Sequence, residues 1–125
     1  MSCEIEYTDE FGIWWDSLSA LEQASIEAVI QLLEEHGAYL TFPHCSGVNQ
    51  SRFNHMRELR IQHQGKPYRV LYIFNPKRDA ILLLGGDKTG QDRWYEVHIP
   101  IADRLYEAHL EKLDQEKDKG EGKDG

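Results

Sequence analysis

Residues 68–74, YRVLYIF, and 80–86, AILLLGG, are apolar at nearly every position and only five residues separate them. A strand with one face in water alternates apolar and polar residues, so runs lacking that alternation belong in the centre of a sheet. The intervening Asn75-Pro76-Lys77 is turn chemistry. A connection this short joins antiparallel neighbours, because a parallel crossover needs a dozen or more residues. The chain is therefore organised round a buried antiparallel strand pair.

The flanking segments supply the rest. MRELRIQH (56–63) alternates, with Leu59 and Ile61 on one face and Glu58 and Arg60 on the other. Gly65 and Pro67 mark its turn into the next strand. CEIEY (3–7) reads as a short first strand. Thr8 or Asp9 can cap a helix in which Phe11, Trp14, Trp15 and Leu18 recur at helical spacing, so the paired tryptophans are expected in the core. Ser19-Ala-Leu-Glu22 is a capping box. The helix it opens carries Leu21, Ile26, Val29, Ile30, Leu32 and Leu33 on a wide apolar face and stops at Gly37. Residues 37–54, with Pro43 and Gly47, read as a loop. Pro100 suits the first turn of a last helix carrying Ile101, Leu105, Ala108 and Leu113.

The predicted order is β-α-α-β-β-β-α. This is an α+β domain over residues 1–113 with a small antiparallel sheet, an N-terminal helix pair and a C-terminal helix. The helices are expected on one side of the sheet and cationic side chains on the other. Residues 114–125 are charged and Gly-rich without an apolar anchor, which predicts a flexible tail.

A 40% hydrophobic content with three Trp and six Tyr supports a packed core, and 125 residues suit one domain. No apolar stretch approaches the roughly 20 residues of a spanning helix. The N-terminal MSCEIEYTDE lacks the basic and apolar blocks of a signal peptide. A cytoplasmic protein without membrane contact is expected, with Cys3 and Cys45 as free thiols. His44 and Cys45 with His36 or His55 match no zinc spacing, so neither a metal nor a cofactor is expected.

The net charge of -8 hides an arrangement. Residues 1–36 hold nine acids and no Lys or Arg, a charge of -9. Residues 49–95 hold nine bases against four acids, or +5, and residues 96–125 hold nine acids against five bases, or -4. A basic middle beside an acidic first third suits a polarised molecule with one face able to meet phosphates; the same charges could equally solvate a sheet edge and its turns. ILLLGGDKTG (81–90) looks like part of a phosphate-binding loop, but Asp87 stands before Lys88 where that motif needs glycine. Gly85-Gly86 are better read as loosening a buried strand's end.

The blocks MRELR, YRVLYIF, ILLLGGDKTG, WYE and IPIADRLYEAHL, taken together in this order, resemble the RelE/HigB superfamily of toxins from toxin–antitoxin modules, and most of all its phage-derived HigB-like branch. The resemblance spans residues 3 to 113. It implies a RelE-like fold and endonucleolytic cleavage of mRNA in the ribosomal A site. It also implies neutralisation by a cognate antitoxin, usually a helix-turn-helix protein. Arg60 and Arg69 fall on positions where cationic residues hold the mRNA backbone in that family. Lys88, or Arg93 just beyond, corresponds to a further basic group. Tyr95 matches the aromatic that stacks on or activates the nucleotide, with Trp94 as its rival, and Arg57 is one more basic residue for RNA contact. One departure stands out: RelE carries a second lysine where this chain has Glu58, as HigB-like members do.

Metal-independent RNA cleavage has the ribose 2′-OH attack its own phosphate. That needs a base for the 2′ proton, an acid for the departing 5′ oxygen, and cations for the charge building on the phosphate. Guanidinium groups suit the last task, and Lys88 can act as a point charge. Glu58 is either a base or a salt-bridge partner of Arg60. Tyr95 either stacks on a base or fills the gap between sheet and helix. His55, His63 and His98 titrate near neutral pH, but no spacing ties one to the arginines. Because the ParE branch of the superfamily inhibits gyrase instead, a non-catalytic toxin is the alternative, as is an inactive antitoxin-binding relative.

Overall fold

The computed structural model describes residues 2–124, with side chains through Lys117. Its elements are β1 (Ile5–Tyr7), α1 (Asp9–Asp16), α2 (Ala20–His36), β2 (Cys45–Gly47), β3 (Arg57–His63), β4 (Lys66–Phe74), β5 (Ala80–Asp87) and α3 (Trp94–Asp124). They form one sheet in the order β1-β5-β4-β3-β2. Neighbours from β2 to β5 run antiparallel, whereas β1 lies parallel to β5. The α+β architecture is as expected, with two differences. A three-residue strand, β2, emerges from the predicted loop, too short to show any periodicity. The first strand pairs parallel because two helices and three strands intervene before its partner.

Local signals explain most boundaries. Thr8 caps α1 by accepting from the Phe11 N–H at 3.0 Å. The Ser19–Glu22 capping box opens α2 with both of its hydrogen bonds formed. Gln64 and Gly65 both have positive φ, 49° and 80°, which is what a two-residue hairpin turn of the favoured twist requires. The last helix differs from expectation. It starts at Trp94, and Pro100 sits exposed within it rather than at its opening turn. Helical backbone continues past Leu113 through Asp124, across the segment for which a flexible tail was predicted; Gly125 and the side chains of 118–125 lie outside the described residues.

The helices do not share one side of the sheet. Phe11, Ile26, Val29 and Leu33 from α1 and α2 pack on Leu59, Ile61, Val70 and Leu82. Trp94, Ile99, Ala102 and Tyr106 from α3 pack on Leu71, Ile73, Ile81 and Leu83, on the opposite face. The expectation of one helical face and one cationic face is corrected accordingly. Strands β4 and β5 are apolar on both sides, and each side needs its own cover.

The Gly85-Gly86 pair sits inside this sandwich. A Cβ on Gly85 would lie 2.3 Å from the Trp14 ring, and one on Gly86 would lie 2.7 Å from Trp94 Nε1. The glycines let two indoles approach the strand from opposite faces. Packing, rather than a loosened strand end, accounts for them. Gly85→Ala should therefore destabilise the fold by at least the ~1–3 kcal/mol of an overpacked core, read as a lower midpoint in urea unfolding.

Tyr68 on β4 donates its hydroxyl to Glu22, tying the α2 cap to the sheet. That bond, with the Ser19 contacts, pulls the Glu22 carboxyl down to about 2. The same bond is the main reason the Tyr68 hydroxyl is pushed up to about 12. A depressed carboxyl stabilises the fold above its ordinary value of 4.5, and the contribution is lost as pH falls towards 2. A raised phenol contributes below its ordinary 10, and loses that contribution as pH rises through 12. Tyr68→Phe removes the bond, so its urea midpoint should vary less than the wild type's across both windows.

Candidate functional site

The polar cluster lies on the α3 side of the sheet, where α3 begins and its cover is incomplete. Period-two alternation puts Glu58 and Arg60 of β3 there, beside Met56 of the α3-side core. Arg69 of β4 is directly opposite Arg60 in the strand register. Two guanidinium groups facing each other would repel. Glu58 relieves this from the diagonal position, with Oε1 3.2 Å from Arg69 Nε and Oε2 3.7 Å from Arg60 Nη1. The Tyr95 hydroxyl, from the first turn of α3, donates to the same carboxylate at 2.6 and 3.0 Å. Ser46, opposite Glu58 on β2, donates its hydroxyl to Oε2 at 3.2 Å.

Glu58 and Arg69 are only 3% and 5% exposed. Arg69 Nη1 donates to the Tyr68 carbonyl at 2.9 Å. Its Nε–H lacks the alignment of a hydrogen bond to Glu58, so that contact is an ion pair. Lys88 arrives from the end of β5. Its backbone N–H donates to the Pro67 carbonyl, and its Nζ lies 5.0 Å from the centre of the Tyr95 ring. Burial, and then the hydrogen bond to Glu58, raise the Tyr95 hydroxyl above its usual value, with Arg69 partly offsetting them. At neutral pH Tyr95 is therefore a protonated donor.

A cleft of about 200 Å³ opens between residues 47–50 and α3, with Glu58, Tyr95 and Ile99 in its wall. Three cations and one carboxylate meet beside it, with Arg60 and Lys88 on the accessible side and Arg69 enclosed. Such an arrangement can hold an anion and offer it a phenolic proton.

The structure thus brings together Glu58, Arg60, Arg69, Lys88 and Tyr95. It does not bring in the other three candidates. Arg57 precedes Glu58 by one residue and points to the opposite face, where Nη2 donates to the Cys45 thiol at 3.3 Å. Arg93 is exposed and pairs with Glu96 at 2.8 Å, one helical turn on. Trp94 is 2% exposed, closed over Gly86, and has no face for a base. The histidines lie elsewhere: His63 bonds Ser25, His98 stacks on Trp94, and His55 packs edge-on to Tyr106. Two contributors were not legible in the sequence. Ser46 lies in the unpredicted strand, and Phe42, whose ring centre is 5.4 Å from Arg60 Cζ, lies in the loop before it. No spacing signal marks either one.

A buried carboxylate and guanidinium depend on each other. Glu58→Ala, which strands Arg69, should cost about 3–5 kcal/mol of stability, whereas replacing both with apolar residues of similar volume should cost far less. Urea unfolding of the single and double variants distinguishes the two.

Comparison with known proteins bears on the family and the fold. The profile of phage-derived Gp49-like proteins matches residues 13–107. A candidate toxin of Mycobacterium tuberculosis, HigB3, is 46% identical over 98 residues, covering 78% of this chain and 84% of that protein. A second from the same organism, HigB2, is 34% identical over 113 residues, or 89% of this chain, which spans just over half (56%) of that relative. The crystal structure of the isolated E. coli RelE toxin superposes with a TM-score of 0.50 at 11% identity, over 80% of this chain and 99% of that one, which speaks for the fold alone. The chain belongs to the phage-derived Gp49-like family, among the HigB-type toxin homologues with a RelE-like fold.

Proposed function

We propose that this protein acts as a ribosome-dependent mRNA endonuclease, blocking translation until a cognate antitoxin, of helix-turn-helix type, neutralises it. The observation that carries the reading is the gathering of Arg60 and Arg69 round Glu58, to which the Tyr95 hydroxyl donates, with Lys88 over the Tyr95 ring. Arg60 and Lys88 are the accessible cations and would hold the scissile phosphate. Both act on charge that grows as the 2′ hydroxyl gives its proton to solvent water, its oxygen attacks phosphorus and the bond to the 5′ oxygen breaks. Tyr95, kept protonated by burial and by Glu58, would give its proton to that leaving oxygen, with Lys88 over the ring and Arg69 behind it steadying the phenoxide.

Glu58 has a different part. Its oxygens already face Arg60, Arg69, Tyr95 and Ser46. A carboxylate so engaged serves best as the positioning residue that holds Arg69 and the Tyr95 hydroxyl.

The same ion pair gives the alternative its best argument. An Arg69 neutralised within the protein is not free for RNA, which would suit a non-catalytic toxin of ParE type acting on gyrase, or an inactive antitoxin-binding relative. Purified protein with translating ribosomes decides between them. The proposal expects cuts within A-site codons, mapped by primer extension, and growth arrest relieved by co-expressed antitoxin. Arg60→Ala and Lys88→Ala should each slow cleavage on the order of 10²–10³-fold, as loss of a transition-state donor does. Intact message at stoichiometric protein would end the nuclease reading, and inhibition of supercoiling in the same preparation would establish its rival.

A further inference from the structure

Phe42 has no part in the core. It is 70% exposed, in the turn between α2 and β2. Leaving so large an apolar ring in water forgoes the gain of burying it. Its position is nevertheless fixed. The Arg60 N–H donates to the His44 carbonyl at 2.8 Å, which clamps this turn against β3. The Arg60 guanidinium then lies 5.4 Å from the Phe42 ring centre, and the same guanidinium is 3.7 Å from Glu58. One side chain joins the exposed ring to the cationic cluster.

We propose that Phe42 is a stacking platform for a base of single-stranded RNA, next to the nucleotide whose phosphate Arg60 holds. The inference rests on the RNA-cleaving reading and adds a residue that reads the strand's bases rather than its charge. Three observations support it. The residue is 70% exposed, and the Arg60 guanidinium lies over its ring. Residues 37–51 contain no Lys, Arg, Asp or Glu, so the ring's chain neighbours set no charge against a neutral base. An exposed aromatic beside a phosphate-holding cation is the arrangement that single-strand binders use, since every base has a π-face and a backbone. A phosphate on Arg60 leaves the attached nucleoside one sugar away, within reach of the ring.

The test is single-turnover cleavage on programmed ribosomes across a range of protein concentration. It compares wild type with Phe42→Ala, Phe42→Leu and Phe42→Trp, on intact messages and on messages carrying an abasic ribose at each nucleotide of the A-site codon and its neighbours. Stacking predicts that Ala and Leu raise the half-saturating concentration on the order of tenfold with the saturating rate nearly unchanged, while Trp retains wild-type behaviour. It also predicts one abasic position at which wild type and Phe42→Ala become equal. If Leu matches wild type, the ring only shields Arg60 and the proposal falls. If the Ala loss is the same on every abasic message, Phe42 touches the ribosome rather than a message base, and the proposal falls again. Equal behaviour of all variants overturns it outright. Wild type that leaves every message intact fails the nuclease reading itself, and the base platform with it.

Discussion

Two adjacent strands that are apolar on both faces have to be covered twice. In this chain α1 and α2 cover one face of β4 and β5, and α3 covers the other. The indoles of Trp14 and Trp94 close on the strand from either side at Gly85 and Gly86. Because that face belongs mostly to α3, the polar residues of β3 and β4 on it survive only near the helix's first turn. The site is small for that reason, and Tyr95, the second residue of α3, becomes a part of it.

Within that corner the electrostatics centre on one carboxylate. The strand register sets Arg60 against Arg69, an arrangement that a sheet alone would disfavour. Glu58 relieves it from the diagonal and collects the hydroxyls of Tyr95 and Ser46 as well. With Lys88 added, the cluster stays net positive although the chain as a whole carries -8. The overall charge therefore says little about what the site can hold. The acidic excess lies in the first third and the last segment of the chain, and the local field comes from three cations around a buried acid.

How much of this was legible depends on how local each signal is. The Ser19–Glu22 box and the Thr8 cap need only three or four consecutive residues; the box was legible outright, and the structure chose Thr8 over Asp9. Glu58 and Arg60 fall on one face by strand alternation alone. The same parity excludes Arg57, one residue earlier, so that exclusion was available without coordinates. Trp94 and Tyr95 could not be separated this way. They are neighbours at a helix start that Pro100 disguised, and only packing shows which ring closes on Gly86 and which hydroxyl reaches Glu58. Ser46 and Phe42 belong to a turn and an edge strand too short to carry a pattern.

The sequence by itself determined most of the elements, though neither β2 nor the start of α3, and with them the buried strand pair, the family and the parity of the charged side chains on β3. These follow from period, capping and turn chemistry, which act over a few residues. Tertiary structure decided that the helices flank the sheet on both sides, that Arg69 faces Arg60 with Glu58 between them, and that Phe42 stands beside that group. Those facts depend on register and on which helix covers which face. They are set by contacts between segments tens of residues apart, where each side chain's burial is weighed against every alternative pairing.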